Sequence, residues 1–387
     1  MFGNHTDATR VSRGMMPEVD MAVAPERVQL KRLRQVCAEV RRQCEAQRKA
    51  MALTLEKLAL QTEKYSSCLS QHSDTNQIDT KQHLECQPQE ESKPGDDRNK
   101  RMITTPVMGF EALLDYLRRN HDFDFTGYKR PSLMRRVQHR MQTLKIESVS
   151  DYLDYIQVHP EEFVHLFNTI LINVTSFFRD ASAWEYLAAQ IVPRIVASKS
   201  DSEPIRVWSA GCASGEETYT LAIVLAEALG VDQFRDRVQI FSTDVDEEAL
   251  NFARCGSYLS SQVTGIPPTV LERYFKPASD RYVFRKDLRR SIIFSRHNLI
   301  QDAPMSKIDL LVCRNVLIYF NLEAQTRALA RFHFSLKNSG FLFLGSAEMI
   351  PTHTNFFTSV NTKQRVFTKV PRRNLNQRLL NSAISLR

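Results

Sequence analysis

Between Ile205 and Ile223 the chain reads IRVWSAGCASGEETYTLAI: a short apolar run without helical period, a loop of small residues, then a helix with apolar positions at Leu221, Ile223, Val224 and Leu225. Strand, glycine-containing turn and helix in that order describe a nucleotide-type pocket. Gly211 and Gly215 permit positive φ and let a ligand lie against backbone amides. Tight βα turns also use glycine for geometry alone, so this stretch by itself leaves ligand binding open.

The pattern repeats downstream. Val238 to Phe241 reads as a strand ending in Ser242, Thr243, Asp244 and Asp246; Glu247 to Arg254 is a helix; Ile308 to Cys313 is a buried strand ending at Arg314 and Asn315. Leu322 to Leu336 is a helix closed by Asn338 and Gly340, Phe341 to Leu344 is a strand, and Gln364 to Lys369 reads as a last edge strand. Alternation of this kind predicts a mostly parallel sheet with helices on both faces, whose ligands sit at the carboxyl ends of the strands. Gly211, Asp244, Asn298, Asn315 and Tyr319 all fall at or just after such ends. Between Gly256 and His297 the period changes to short β pieces, Tyr282 to Phe284 and Ile292 to Phe294, bounded by Pro267, Pro268 and Pro277. A small antiparallel insertion over about 257–296 is expected there.

Upstream, residues 1–27 have no period and read as a flexible leader. Residues 28–70 are helical in pattern, without Gly or Pro, and Leu33, Val36, Val40, Cys44, Met51, Leu55 and Leu58 recur at a loose three-four spacing. A coiled coil, through a partner or self-association, and one long solvated helix both fit this stripe. Residues 71–103 are too polar to repay the entropy of folding and read as a disordered linker. An all-helical unit follows over 104–182. Phe110, Leu113, Leu114 and Leu117 share a face, and Pro131 suits the first turn of the next helix. There Leu133, Val137, Met141 and Leu144 form an inner stripe, with Arg135, Arg136, His139 and Arg140 on other faces. Such a helix can dock against acid or simply present a solvated basic face. NVTSFFRD, Asn173 to Asp180, alternates polar and apolar residues and either offers hydrogen-bonding groups to a cleft or serves a local turn.

The net charge of +8 is unevenly spread: Lys100 to Glu147 holds ten Lys and Arg against five Asp and Glu. The seven cysteines are scattered with no CxxC or Cys/His cluster, so neither a disulfide framework nor a metal site is expected. Apolar runs are too short to span a bilayer and Met1 to Arg10 lacks the apolar stretch of a signal peptide, which predicts a cytoplasmic protein with no membrane insertion.

A carboxylate at the end of the second strand is placed to accept both hydroxyls of a ribose, and Asp244 is that candidate. Glu216 and Glu217 open the helix after the glycine loop, where the dipole favours an acid, so capping explains one of them equally well. Acid around the loop disfavours pyrophosphate, and neither GxGxxG nor GxxxxGK[ST] occurs. A sulfonium tolerates carboxylates. S-adenosylmethionine therefore fits better than a dinucleotide.

Taken together and in order, NVTSFFRD, VWSAGCASGEETYTLAI, FSTDVDEEAL, RHNL and LVCRNVLIYF resemble the CheR-type chemotaxis receptor methyltransferases over about Phe110 to Lys369. The resemblance implies a Rossmann-like class I S-adenosylmethionine methyltransferase domain over 183–371 with a small antiparallel β insertion, preceded by the all-α domain, and a tail at 372–387. The activity it implies is protein-glutamate O-methyltransfer to receptor cytoplasmic helices. By position it carries cofactor contact onto Asn173, Thr175, Arg179, Glu217, Asp244, Asn298, Leu299, Arg314 and Asn315, to which the glycine turn adds Gly211, and places Arg179 and Tyr319 beside the reacting carboxylate. It also gives Arg135, Arg136 and Arg140 an acidic receptor surface to face. Lys276 to Arg281 is short for the glycine-containing loop with which some members hold a receptor-tail pentapeptide, so no such tethering is expected.

Two other readings compete. A nucleic-acid methyltransferase would share the basic surface and the cofactor, but Asn315 to Tyr319 is NVLIY and lacks the prolines of an NPPY-like motif, so no nucleic acid is expected. A binding scaffold acting through the amino-terminal helix would keep the fold without turnover.

Overall fold

A computed structural model describes residues 35, 38, 42, 98–121, 123–350 and 356–370. The leader, most of the 28–70 helix, the linker up to residue 97 and the tail therefore lie outside the described residues.

Four helices form the first unit: α1 (Arg98–Asn120), α2 (Arg130–Leu144), α3 (Val149–Val158) and α4 (Glu162–Ile170). Their apolar stripes converge on one core, in which Leu113, Leu117, Val137, Tyr152, Ile156 and Leu166 are fully buried. Pro131 lies in the first turn of α2, where its missing N–H costs nothing, and Lys145 closes the helix in the left-handed conformation.

The helical stretch that follows is divided into α5 (Ala181–Tyr186), a π-helical segment (Leu187–Ile191) and α6 (Val192–Ala197). Pro193 supplies the reason. It has no N–H to give the preceding turn, and the chain widens for five residues before α6 resumes.

The second unit is built on a seven-stranded sheet. Its elements are β1 (Ile205–Ala210), α7 (Glu216–Leu229), α8 (Val231–Arg237), β2 (Val238–Asp244), α9 (Glu247–Cys255), β3 (Ser257–Leu259), α10 (Pro268–Tyr274), β4 (Phe275–Ala278), β5 (Arg281–Phe284), α11 (Lys286–Arg289), β6 (Ile292–Arg296), β7 (Ile308–Cys313), α12 (Leu322–Ser335), β8 (Leu336–Leu344), β9 (Phe357–Asn361) and β10 (Val366–Lys369). The sheet order is β6-β2-β1-β7-β8-β10-β9. β6, β2, β1, β7 and β8 run parallel, and β10 and β9 close the far end antiparallel. Two apolar cores line the faces, one around α7 with Leu221, Val224 and Leu225, the other around α12 with Ala328, Leu329 and Phe332.

Three sequence expectations are corrected. Ile292–Phe294 belongs to the main sheet, not the insertion: after α11 the chain returns beside β2 in parallel register, Ile240 opposite Ile292. The antiparallel insertion is the three-stranded β3-β5-β4 sheet. The last strand is not an edge, because β9 pairs outside β10; Phe357–Asn361 is half exposed and carries too weak an alternation to mark it as a strand. Finally, β8 begins at Leu336, directly from the end of α12, where a loop through Gly340 was expected.

Candidate cofactor and substrate site

β1 lies between β2 and β7, so the connections from these strands leave the sheet on opposite sides and open a crevice at their carboxyl ends. A cavity of about 390 Å³ fills it, within the range of small-molecule sites. Asn173, Thr175, Arg179, Gly211, Glu217, Asp244, Asn298, Leu299, Arg314, Asn315 and Tyr319 all line it. Residues as far apart in sequence as Asn173 and Tyr319 thus face one space.

At the end of β1 the backbone turns at Gly211, φ +80°, and donates its N–H to Thr243 O at 2.7 Å. A side chain there would collide with Val316 Cγ2 from the loop after β7, so glycine is required for protein packing at the cavity wall as well as for φ. Gly215, φ +95°, leaves room for Ala253 and Tyr258 in the same way.

Asp244 ends β2. Its Oδ2 accepts the Ala213 N–H at 2.8 Å and its Oδ1 the Asp246 N–H at 3.0 Å. A carboxylate has about four acceptor sites, so two remain for a ligand. Burial pushes its pKa above the usual carboxylate value, and these amides oppose the shift. Asp246 caps α9, accepting from Glu248 N and Ala249 N, and its other oxygen accepts the Asn173 amide at 2.6 Å. The loop after α4 is thereby fixed to the second strand.

Glu216 and Glu217 open α7 as anticipated, and the structure separates them. Glu216 accepts the Ser214 hydroxyl at 2.6 Å, a local cap. Glu217 points at the cavity, accepts the Ser209 hydroxyl at 2.9 Å and is pushed by burial to about 7, with Arg314 opposing the shift.

β7 delivers Arg314, whose guanidinium donates to Asp180 Oδ2 at 2.7 Å and lies over Trp184 and Phe343, 5.3 and 5.1 Å from their ring centroids. Its Nε is buried without a partner among the described residues. Asn315 follows at φ +61°, and the next amide, Val316 N, donates to Glu348 Oε1 at 2.8 Å. Arg179 donates to Val174 O at 3.1 Å at the cavity edge. Asn298 spends its side chain locally, Oδ1 accepting from Ile300 N and Nδ2 donating to Gln301, and its backbone N–H and C=O are engaged by Asp302, which leaves one side-chain amide hydrogen for any ligand. Leu299 is buried and supplies apolar wall.

The basic helix joins the cavity at its start. Tyr319 O accepts from Lys129 N at 2.9 Å, Asn321 N donates to Gly127 O at 2.9 Å, and Tyr128 bridges to Phe320. Arg135 is exposed and Arg136 half-buried on α2. Arg140 is corrected. Its Nε and Nη2 are held by both oxygens of buried Glu162 at 2.6 and 2.7 Å, and Glu162 also accepts from Tyr152, so Arg140 braces α2 against α4 instead of offering its charge outward.

Two residues at this site carried no mark in the sequence reading. Tyr128 lines the cavity from the helical unit, and burial together with the nearby Asp244 charge raises its phenol. Glu348 follows the end of β8, and the rule that singled out Asp244, an acid just past a strand's carboxyl end, would have found it.

The residues fit S-adenosylmethionine. Glu217 and Asp244 present carboxylates to a cationic ligand, and the unpartnered Arg314 Nε–H is a buried donor for a carboxylate. Fold and cavity together define a Rossmann-like methyltransferase. Residues 173–366 match the family described as CheR methyltransferase, SAM binding domain, and residues 108–171 match CheR methyltransferase, all-alpha domain. The chain belongs to the CheR methyltransferase family. It is 33% identical over 237 residues to a chemotaxis protein methyltransferase of Listeria innocua, covering 60% of this chain and 87% of that protein. Chemotaxis protein methyltransferase 1 of Pseudomonas aeruginosa is 30% identical over 247 residues, covering 62% and 90%. An uncharacterized 104.1 kDa protein of Rhodobacter capsulatus is 34% identical over 262 residues, covering 68% of this chain, which spans 28% of that relative's length.

Proposed function

We propose that the chain transfers a methyl group from S-adenosylmethionine to glutamate carboxylates on chemotaxis receptor cytoplasmic helices, giving methyl esters. The junction at the cavity mouth carries this reading. Arg179 and Tyr319 border the acid-lined space, and the Tyr319 backbone is hydrogen-bonded to Lys129, one residue before basic α2.

When bound, S-adenosylmethionine supplies a methyl carbon made electrophilic by its sulfonium. Asn173, Thr175, Arg179, Gly211, Glu217, Asp244, Asn298, Leu299, Arg314 and Asn315 hold it in this reading. Asp244 would offer its two remaining acceptor sites to the ribose hydroxyls, and Arg314 Nε–H would donate to the cofactor's carboxylate. Glu217 offsets the positive charge.

A glutamate side chain is ionised at neutral pH, so the nucleophile needs no general base. The chain's contribution is orientation and exclusion of water, each worth roughly several kcal/mol. Arg179 and Tyr319 orient the incoming carboxylate; because too strong an ion pair with Arg179 would blunt the nucleophile, Tyr319 does the finer positioning. Arg135 and Arg136 receive the acidic face of the receptor helix.

The partner works in the cytoplasm in this reading. Among the described residues no helix is long and apolar enough to cross a membrane. The β4–β5 turn, Ser279 and Asp280, is short, and we expect no receptor-tail tethering through it.

Full-length chain incubated with methyl-labelled S-adenosylmethionine and receptor cytoplasmic fragments tests the proposal. Label on glutamate, released by mild alkali as methanol, is expected. Alkali-stable label, label in nucleic acid, or none overturns it.

A further inference from the structure

The loop after β8 reaches the cavity wall through one side chain. Glu348 is 1% exposed, and its Oε1 accepts the Val316 N–H at 2.8 Å. Its Oε2 is buried without a partner among the described residues and sits so close over Gly345 that a Cβ there would collide with it. Val316 is the side chain that fills the space beside Gly211, and Asn315, immediately before it, is held at φ +61° with its side chain at the cavity. Left-handed backbone costs a non-glycine residue about 1 kcal/mol or more and persists only where its surroundings enforce it. The Glu348 bond to the next amide is such a constraint.

We propose that Glu348 is a positioning residue for the cofactor: by holding the Asn315–Val316 turn and placing a carboxylate behind Arg314 and Glu217, it sets both the shape and the charge of the cavity wall. The inference rests on the cofactor reading above.

The charged groups around it define the electrostatic part. Burial pushes the Glu348 carboxyl above its usual value, and the Val316 amide and nearby Arg314 oppose that shift. Glu217, on α7, is disfavoured as an anion by Glu348 and favoured by Arg314 and Arg179. Asp180 takes part of the Arg314 charge from the loop before α5. Cys313 beneath stays a neutral thiol, raised by burial and by these acids. Removing the Glu348 charge while keeping an acceptor for Val316 therefore lets Glu217 ionise more readily. Removing the whole side chain also frees the turn.

The test is calorimetric titration of the full chain with S-adenosylmethionine and S-adenosylhomocysteine from pH 6 to 9, for wild type, Glu348→Gln and Glu348→Ala, with thermal unfolding alongside. Glu348→Gln is expected to move the pH midpoint of S-adenosylmethionine binding down by about half a unit while leaving S-adenosylhomocysteine affinity within about threefold. Glu348→Ala is expected to weaken both ligands by about tenfold or more, as one lost constraint on the turn allows. A merely structural glutamate would lower the melting temperature in Glu348→Ala and leave affinities and midpoint in place, and that result overturns the inference alone. A wild-type chain that binds neither ligand removes the cofactor reading and this inference together.

Discussion

Arg314 Nη2 and Asp180 Oδ2 stand 2.7 Å apart, joining the end of β7 to the loop that carries Asn173, Thr175 and Arg179. The pair closes the floor of the cavity with groups 134 positions apart in the chain. The arginine is 2% exposed and cannot be hydrated if its partner is lost.

Arg314→Leu therefore has two expected effects. Asp180 already has 29% side-chain exposure, so the stability cost of losing this ion pair is discounted to about 2 kcal/mol, read as a lower denaturation midpoint. S-adenosylmethionine affinity falls more than tenfold in calorimetry, because the donor for the ligand carboxylate is gone. Unchanged affinity would remove Arg314 from the ligand set.

Gly211→Ala meets Val316 Cγ2 and forces a side chain to φ +80°. A loss of about 2 kcal/mol is expected by denaturant unfolding. Adding Val316→Ala removes the collision but not the φ penalty, so the double variant recovers part of the loss. Full additivity of the two single effects would show that they do not share this contact.

Glu217 sets a pH dependence whose sign is fixed by its burial. Its folded value of about 7 lies above the ordinary 4.5, so the folded chain holds a proton that the unfolded chain has released. Its contribution to stability is present below about 4.5 and is lost as pH rises through about 7. Glu217→Gln should gain on wild type across that window, by at most about 3 kcal/mol, and the difference should level off above it. Parallel curves from pH 4 to 8 would show that Glu217 titrates as an ordinary carboxyl. The same ionisation strengthens binding of the cationic cofactor as pH rises through neutrality.

Tyr319→Phe separates chemistry from binding. The Tyr319 backbone bond to Lys129 survives the substitution, so the mouth of the cavity keeps its form. Turnover is expected to fall about tenfold or more with cofactor affinity within about twofold, since only the aim of the acceptor is disturbed. Full turnover would exclude the hydroxyl from the reaction.

The sequence made the cavity legible where its residues follow a strand end, because strand period and terminal polar residues are local signals. Gly211, Asp244, Asn298, Asn315 and Tyr319 stand out on that basis, Arg314 ends a strand in the same way, the polar alternation of the loop from Asn173 points to a cleft or a local turn, and the motif resemblance chooses the cleft. Glu348 obeys the same rule but sits after Leu344 in a stretch otherwise read only as a strand. Arg140 misled for a different reason. Its partner Glu162 is 22 residues away on another helix, and the charge pattern of α2 alone cannot show that one of its arginines is already paired. Ile292 to Phe294 misled because a strand's partner is tertiary: the same three residues fit an antiparallel insertion or a parallel edge, and only the path through α11 decides.

The claim on which the rest depends is that an acid-rimmed turn at the ends of β1 and β2 grips the adenosyl group through Asp244. Calorimetric titration of wild type and Asp244→Ala with S-adenosylhomocysteine tests it most directly, because that ligand keeps the ribose and lacks the sulfonium charge. One site per chain is predicted for wild type, with a loss of about 2 kcal/mol or more in the variant, about thirtyfold in affinity. Equal affinity in the two proteins, or no binding by wild type, would contradict the account.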